Sequence, residues 1–252
     1  MADFDINQIA STLDSEDMIG FTRAFVEDIR KGLNAVNVDR YPWIEEIGNG
    51  QWRGVLALGM GGSAAGGDFL SSICDLKGSI PVIVQRDYVI PAWWDEQWLV
   101  VATSHSGNTE EAIEATETAL KSGATVIVIS TGGILSGLAE LHYNCYLIPS
   151  IGGQPPRSAF GHIFGRQLAL FRCLGIIPND NDDQAMLTRL QAVVEEYDFI
   201  NNQESDLLEL IAYMETQPIA LLGPSELNPA LIRFKNQLNE NSARFARIGV
   251  YP

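Results

Sequence analysis

Apolar residues recur at threes and fours between positions 17 and 36 (Met18, Ile19, Phe21, Phe25, Val26, Ile29, Leu33 and Val36), the spacing that lines one face of a helix. Beyond this stretch the period changes. Short continuous apolar runs at 55–58, 80–85, 98–102, 125–130 and 143–148 predict strands, and 125–130 (TVIVIS) has the β-branched character of a strand buried on both faces. Helix-compatible stretches at 64–74 and 109–122 lie between them. Strands alternating with helices of this length predict an α/β sandwich around a mostly parallel sheet. The run IIPNDNDD at 176–183 reads as a linker, after which the pattern restarts with helices at 184–199 and 207–216, a strand at 219–222 and a helix at 228–239. The chain therefore divides into an N-terminal helical segment (1–45), a first α/β unit (46–175) and a second (176–252). About two strands can be found in the second unit, fewer than a usual sheet holds, so it is expected to be incomplete.

With 252 residues, 46% of them hydrophobic, the chain can bury a sizeable core and is no disordered tail. Asp and Glu number 32 against 16 Lys and Arg, a formal charge of −16. That field repels phosphodiester backbones and anionic bilayers, so nucleic acid and membrane are not expected partners. An anionic small molecule would have to be held by local donors. No apolar run approaches the roughly 20 residues of a membrane helix, and no signal peptide is visible, which predicts a cytoplasmic protein. Cys74, Cys145 and Cys173 are odd in number and lack short paired spacing, so free, buried thiols are expected.

Two turns carry candidate chemistry. The glycine block from Gly59 to Asp68 (GMGGSAAGGD) follows a strand and opens a helix, a place where free backbone N–H groups can surround an anion. Its spacing matches neither the dinucleotide fingerprint nor a P-loop, and a tight turn that needs small residues for packing explains it equally well. The second turn, Ser104 to Glu111 (SHSGNTEE), adds Ser104, Ser106 and Thr109 to Thr103 at the next strand end. Neutral donors at a helix N-terminus suit a phosphate monoester. Capping by Ser106 or Asn108 is the alternative, but it leaves the other hydroxyls without a role. His105 reads as an exposed turn residue, His142 and His162 as structural, and three scattered histidines make no metal site.

Together the two turns resemble the sugar isomerase (SIS) domain. Three further segments resemble the bifunctional phosphoglucose/phosphomannose isomerase family, namely QRDYVIP from Gln85, GGQPPRSAFG from Gly152 and KNQLNEN from Lys235. The resemblance spans position 58 to the C-terminus. It implies two SIS-type three-layer α/β/α sandwiches, a homodimer, no cofactor or metal, and interconversion of glucose 6-phosphate or mannose 6-phosphate with fructose 6-phosphate. Gly62, Ser63, Ser104, Ser106 and Thr109 match the phosphate-binding positions, Arg157 the arginine near the enediolate and Glu240 the proton-transfer base. It further implies a histidine-bearing helix and a lysine beyond position 252, so a truncated chain with little turnover is expected.

The chemistry suits these residue types. Moving a proton between carbons 1 and 2 needs one carboxylate within reach of both, and a glutamate shielded from water is a competent base near neutrality. A guanidinium stabilises the oxyanion that develops. The competing readings are a loop salt bridge for Arg157, an exposed helix end for Glu240, and, for the whole chain, a non-catalytic phosphosugar-binding protein or an isomerase of another phosphosugar.

Overall fold

The computed structural model describes residues 6–179, 182–202 and 207–252. Five strands, β1 (Gly54–Leu58), β2 (Val82–Gln85), β3 (Trp98–Ser104), β4 (Val126–Ser130) and β5 (Cys145–Pro149), form a parallel sheet in the order β2-β1-β3-β4-β5. Register aligns Leu58 with Ala102 across β1 and β3, and Ser104 with Ser130 across β3 and β4. Their carboxyl ends therefore lie side by side.

Both faces of this sheet are covered, which is why its strands are continuously apolar. Alternate residues face opposite layers. Val55, Leu99, Val101, Ile127 and Ile129 join the core shared with α5 (Gly61–Lys77) and α8 (Phe160–Cys173), and with α4 (Trp43–Gly48) through Ile44 and Ile47. Leu56, Val100, Ala102, Val126 and Val128 face α6 (Glu110–Lys121) and α7 (Gly133–Leu141). The expected three-layer sandwich is present.

Ahead of it come α1 (Ile6–Leu13), α2 (Met18–Arg23) and α3 (Phe25–Ala35). The single helix expected over 17–36 is interrupted at Ala24, and Asp17, in the left-handed region, starts it. Neither α1 nor α4 was indicated by the periodicity. Helix α3 is no appendage. It lies so close to α8 that a Cβ on Gly165 would sit 2.5 Å from the Ile29 carbonyl oxygen and 3.0 Å from the Gly32 Cα. From Phe160 to Phe171 every residue of α8 is buried. Some of its buried polar groups find partners, while His162 Nε2 and Gln167 Oε1 have none among the described residues. The Arg166 guanidinium donates to the His162 and Pro149 carbonyls, and Gln167 Nε2 donates to Thr103 Oγ1.

Ile176 and Ile177 pack into the first core, so the linker begins only after them; residues 180 and 181 lie outside the described residues. Beyond it, α9 (Asp183–Glu196) places Leu187 against Val26 and Ile29 of α3. Then follow α10 (Leu207–Thr216), β6 (Ile219–Pro224), α11 (Asn228–Ser242) and β7 (Ala246–Tyr251). Strands β6 and β7 are parallel, joined by α11, and form a sheet of two strands. Cys74 and Cys145 are buried free thiols, their pKa pushed up to about 11 by burial above all, and Cys173 is half-buried and free. Among the described residues no helix is long and apolar enough to cross a membrane.

Candidate functional site

The two turns singled out in the sequence lie at the carboxyl ends of neighbouring strands, β1 and β3, and they touch. The His105 backbone N–H donates to Ser63 Oγ at 3.1 Å, tying the hydroxyl turn to the glycine turn. Ser104 is 1% exposed; its Oγ pairs with Thr109 Oγ1 at 2.9 Å and accepts the Gly107 N–H at 3.1 Å. Ser106 is exposed, its Oγ accepting the Asn108 N–H at 3.2 Å. Ser63 and Thr109 are half-buried, and so is Gly62.

Capping does not account for this cluster. The N-cap of α6 is Thr109, not Ser106 or Asn108, and its side chain makes no capping bond. Asn108 turns away instead, and its Oδ1 accepts the Ile134 N–H at the start of α7. Helix α5 likewise has Met60 as its N-cap residue, with no side-chain capping bond. Two helix N-termini and three clustered hydroxyls thus converge, the arrangement a phosphate monoester fits. Within the glycine block, Gly67 packs against Ala57 and Val84, as the packing explanation requires. Gly62 differs: a Cβ there would come 3.3 Å from the Pro156 carbonyl oxygen.

That close approach brings in the loop 150–158 and Arg157. Arg157 Nε donates to Asn241 Oδ1 at 3.0 Å, Nη2 meets Glu16 Oε2 at 2.6 Å, and the backbone carbonyl accepts from Gln237 Nε2 at 3.2 Å. The structure therefore brings the glycine turn, the hydroxyl turn, Arg157 and the KNQLNEN segment of α11 together. Arg157 does make an ion pair, as the competing reading held. Its partner, however, lies 141 residues away in the N-terminal segment. No sequence signal marked Glu16. The side chains of Gln237 and Asn241 lie in a quoted motif, where their spacing of four already placed them on one helix face.

Two expectations are corrected. Glu240 is exposed, not shielded, because among the described residues nothing covers that position of α11. Its charge acts on Arg233, whose guanidinium lies 4.0 Å over the Phe160 ring and whose pKa burial lowers to about 10. His105 is half-buried, not an exposed turn residue, and its Nε2 lies 3.0 Å from the Gln154 carbonyl. His142 is the C-cap residue after α7, and His162 is fully buried in α8. Burial, with Arg166 and His105 nearby, pushes the His162 pKa down to about 4.

A bifunctional phosphoglucose/phosphomannose isomerase of Caldicellulosiruptor bescii is 38% identical to this chain over 201 residues, 78% of the chain and 59% of that protein. The protein of the same name from Thermoplasma volcanium is 34% identical over 194 residues, 77% of the chain and 58% of its own length. The chain is a relative of the bifunctional phosphoglucose/phosphomannose isomerases. It spans under two thirds of the curated relatives it matches. A D-glucosamine-6-phosphate 4-epimerase of Sulfolobus acidocaldarius is also similar, 31% identical over 187 residues, 73% of the chain and 56% of that enzyme. No family model matches the chain. The fold is shared with the C-terminal domain of glucosamine-fructose-6-phosphate aminotransferase from Francisella tularensis (TM-score 0.66, 14% identity, 94% of this chain and 71% of that one). It is shared also with a hypothetical protein of Thermus thermophilus (TM-score 0.66, 19% identity, 98% and 63%).

Proposed function

We propose that the chain is a sugar-phosphate isomerase interconverting glucose 6-phosphate or mannose 6-phosphate with fructose 6-phosphate, acting as a homodimer. The phosphate is held by Gly62, Ser63, Ser104, Ser106 and Thr109, and the sugar extends toward Arg157 and Glu240. The observation that carries this reading is the bond from Arg157 to Asn241. It ties the guanidinium to the residue that follows Glu240 in sequence, while the Pro156 carbonyl beside it lies so near the glycine turn that a Cβ on Gly62 would come 3.3 Å from it.

The chemistry follows from these positions. The Glu240 carboxylate removes the proton from carbon 2 of the aldose and returns it to carbon 1 of the enediolate. The Arg157 cation stabilises the oxyanion between the two steps, a contribution on the order of hundreds-fold in rate. Glu240 is open to water in the free chain, so bound sugar has to exclude that water before the carboxylate gains the basicity the step requires. The test is Glu240→Gln in this chain joined to the remainder of the Caldicellulosiruptor bescii relative. Turnover should vanish while fructose 6-phosphate affinity stays within about twofold. Turnover within about tenfold of the parent rejects Glu240 as the base.

A second reading draws on the 4-epimerase relative and the exposure of Glu240, and it keeps the phosphate site while changing the chemistry. In that case the chain binds an amino-sugar phosphate more tightly than fructose 6-phosphate, which competition calorimetry decides.

A further inference from the structure

Two histidines that the isomerase reading leaves unused lie against each other beneath the loop that carries Arg157. His105 belongs to the hydroxyl turn and His162 to α8, with ring centroids 6.2 Å apart and planes tilted by 48°. Each imidazole holds the loop 150–158 at a different point. His162 Nδ1 meets Ser150 Oγ at 3.1 Å, where the loop starts, and His105 Nε2 meets the Gln154 carbonyl at 3.0 Å, near its middle. A carbonyl oxygen only accepts, so Nε2 carries the hydrogen of this bond and Nδ1 is the ring nitrogen left over. That Nδ1 and the Nε2 of His162 are both buried without a partner among the described residues.

We propose that His105 is a positioning residue that sets the Arg157 loop against the phosphate turns, with His162 as the buried ring that backs it. The proposal rests on the phosphosugar reading. His105 bonds to each of the parts it would join. Its N–H donates to Ser63 Oγ in the glycine turn, its carbonyl accepts the N–H and hydroxyl of Thr131 after β4, and its ring reaches Gln154. The loop needs such an anchor. Gly152 and Gly153 give its first half little stiffness, and Gly153 sits at φ +94. Its backbone bonds hold the start, Ser150 N–H to the Ser130 carbonyl, and the half beyond Gln154, Ser158 to Pro155 and Ala159 to Pro156; among the described residues none holds the backbone of 151–154. Gln154 also reaches Asp28 through its side-chain amide at 3.4 Å, so its carbonyl anchor keeps α3 in register with the loop.

Acting as the base itself is closed to His105. One nitrogen is committed to a carbonyl and the other faces the interior. Its effect runs through the placement of Arg157, and misplacement by about an ångström is enough to lose an oxyanion contact.

The test uses the full chain with His105→Leu, His105→Asn and His105→Gln. A glutamine amide can donate from about the place of Nε2, whereas an asparagine amide reaches only the Nδ1 position. Calorimetry should show that Leu and Asn lower fructose 6-phosphate affinity by about tenfold and leave inorganic phosphate affinity within about twofold, while Gln restores the sugar phosphate. Parallel loss of both ligands in the Asn variant would make His105 a structural member of the turn. No loss, or a Gln variant as weak as Asn, would equally overturn the proposal. If the parent binds neither ligand, the phosphosugar reading fails separately. Amide exchange over 152–158 then decides, faster in the Asn variant than in Gln if His105 positions the loop, and equal in the two if it does not.

Discussion

The two parallel sheets are built from the same β–α–β unit and meet opposite surroundings. In the first, Val100 and Val101 are neighbours facing opposite layers, and both are essentially unexposed. In the second, Leu222 of β6 is 71% exposed and Tyr251 of β7 is 55% exposed. The runs VIVIS and IALLGP are alike in apolar character. That character tells what a strand can bury, while the covering layers decide what it does bury. The candidate site straddles the same divide. Its proposed phosphate side consists of clustered hydroxyls at the ends of β1 and β3. Its proposed sugar side depends on Arg157 reaching across to α11, where Glu240 is open to water.

The contrast breaks first at the α3–α8 contact. Gly165→Val forces a side chain into the Ile29 carbonyl and should cost roughly 3 kcal/mol, about 6–12 °C in Tm. Calorimetric melting checks it, and a shift under about 2 °C would mean that the helices part easily.

The second effect comes from His162, which unfolding exposes to its ordinary pKa near 6.5 while the folded state holds it at about 4. Above 6.5 both states are neutral and the group contributes nothing. As pH falls from 6.5 toward 4, the unfolded state takes up the proton first, so stability drops, by about 2 kcal/mol at pH 5 relative to pH 8. Urea melts at the two pH values should show this loss, and His162→Leu should flatten it. An equal slope in the variant would assign the acid sensitivity to other groups.

A third change sharpens the phosphate side. Ser104→Ala with Thr109→Ala should weaken fructose 6-phosphate binding by about 1–3 kcal/mol, the range for hydrogen bonds to a charged group, with little change in Tm. Unchanged affinity would leave the hydroxyls as partners of each other and of the Gly107 N–H alone. The smallest effect belongs to the second sheet, where Leu222→Ser should alter stability by less than about 0.5 kcal/mol. A loss near that of a buried leucine would show that something covers β6 in solution.

Periodicity and run length are enough to place the five strands of the first sheet within a few residues, because each is a near-continuous apolar run, buried throughout in β1 and β4 and only partly in the edge strands β2 and β5. They did not show α1 or α4, short helices of eight and six residues with few buried positions. The hydroxyl turn could be read as a cluster because its members are adjacent in sequence. The partners of Arg157 could not. Glu16 meets it only because the N-terminal segment folds back over the loop, and nothing local at position 16 encodes that meeting. The half-buried setting of His105 is hidden for a related reason: its ring meets a backbone carbonyl, which leaves no trace in residue type.

Amide shifts in a nitrogen-15 spectrum test the central claim most directly, that one ligand spans the turns of the first unit and α11 of the second. Titration with fructose 6-phosphate should move the amides of 62–63 and 104–109 together with those of 157 and 237–241, whereas inorganic phosphate should move only the first group. Shifts from fructose 6-phosphate that spare 104–109, or that never reach 157 and α11, would contradict it.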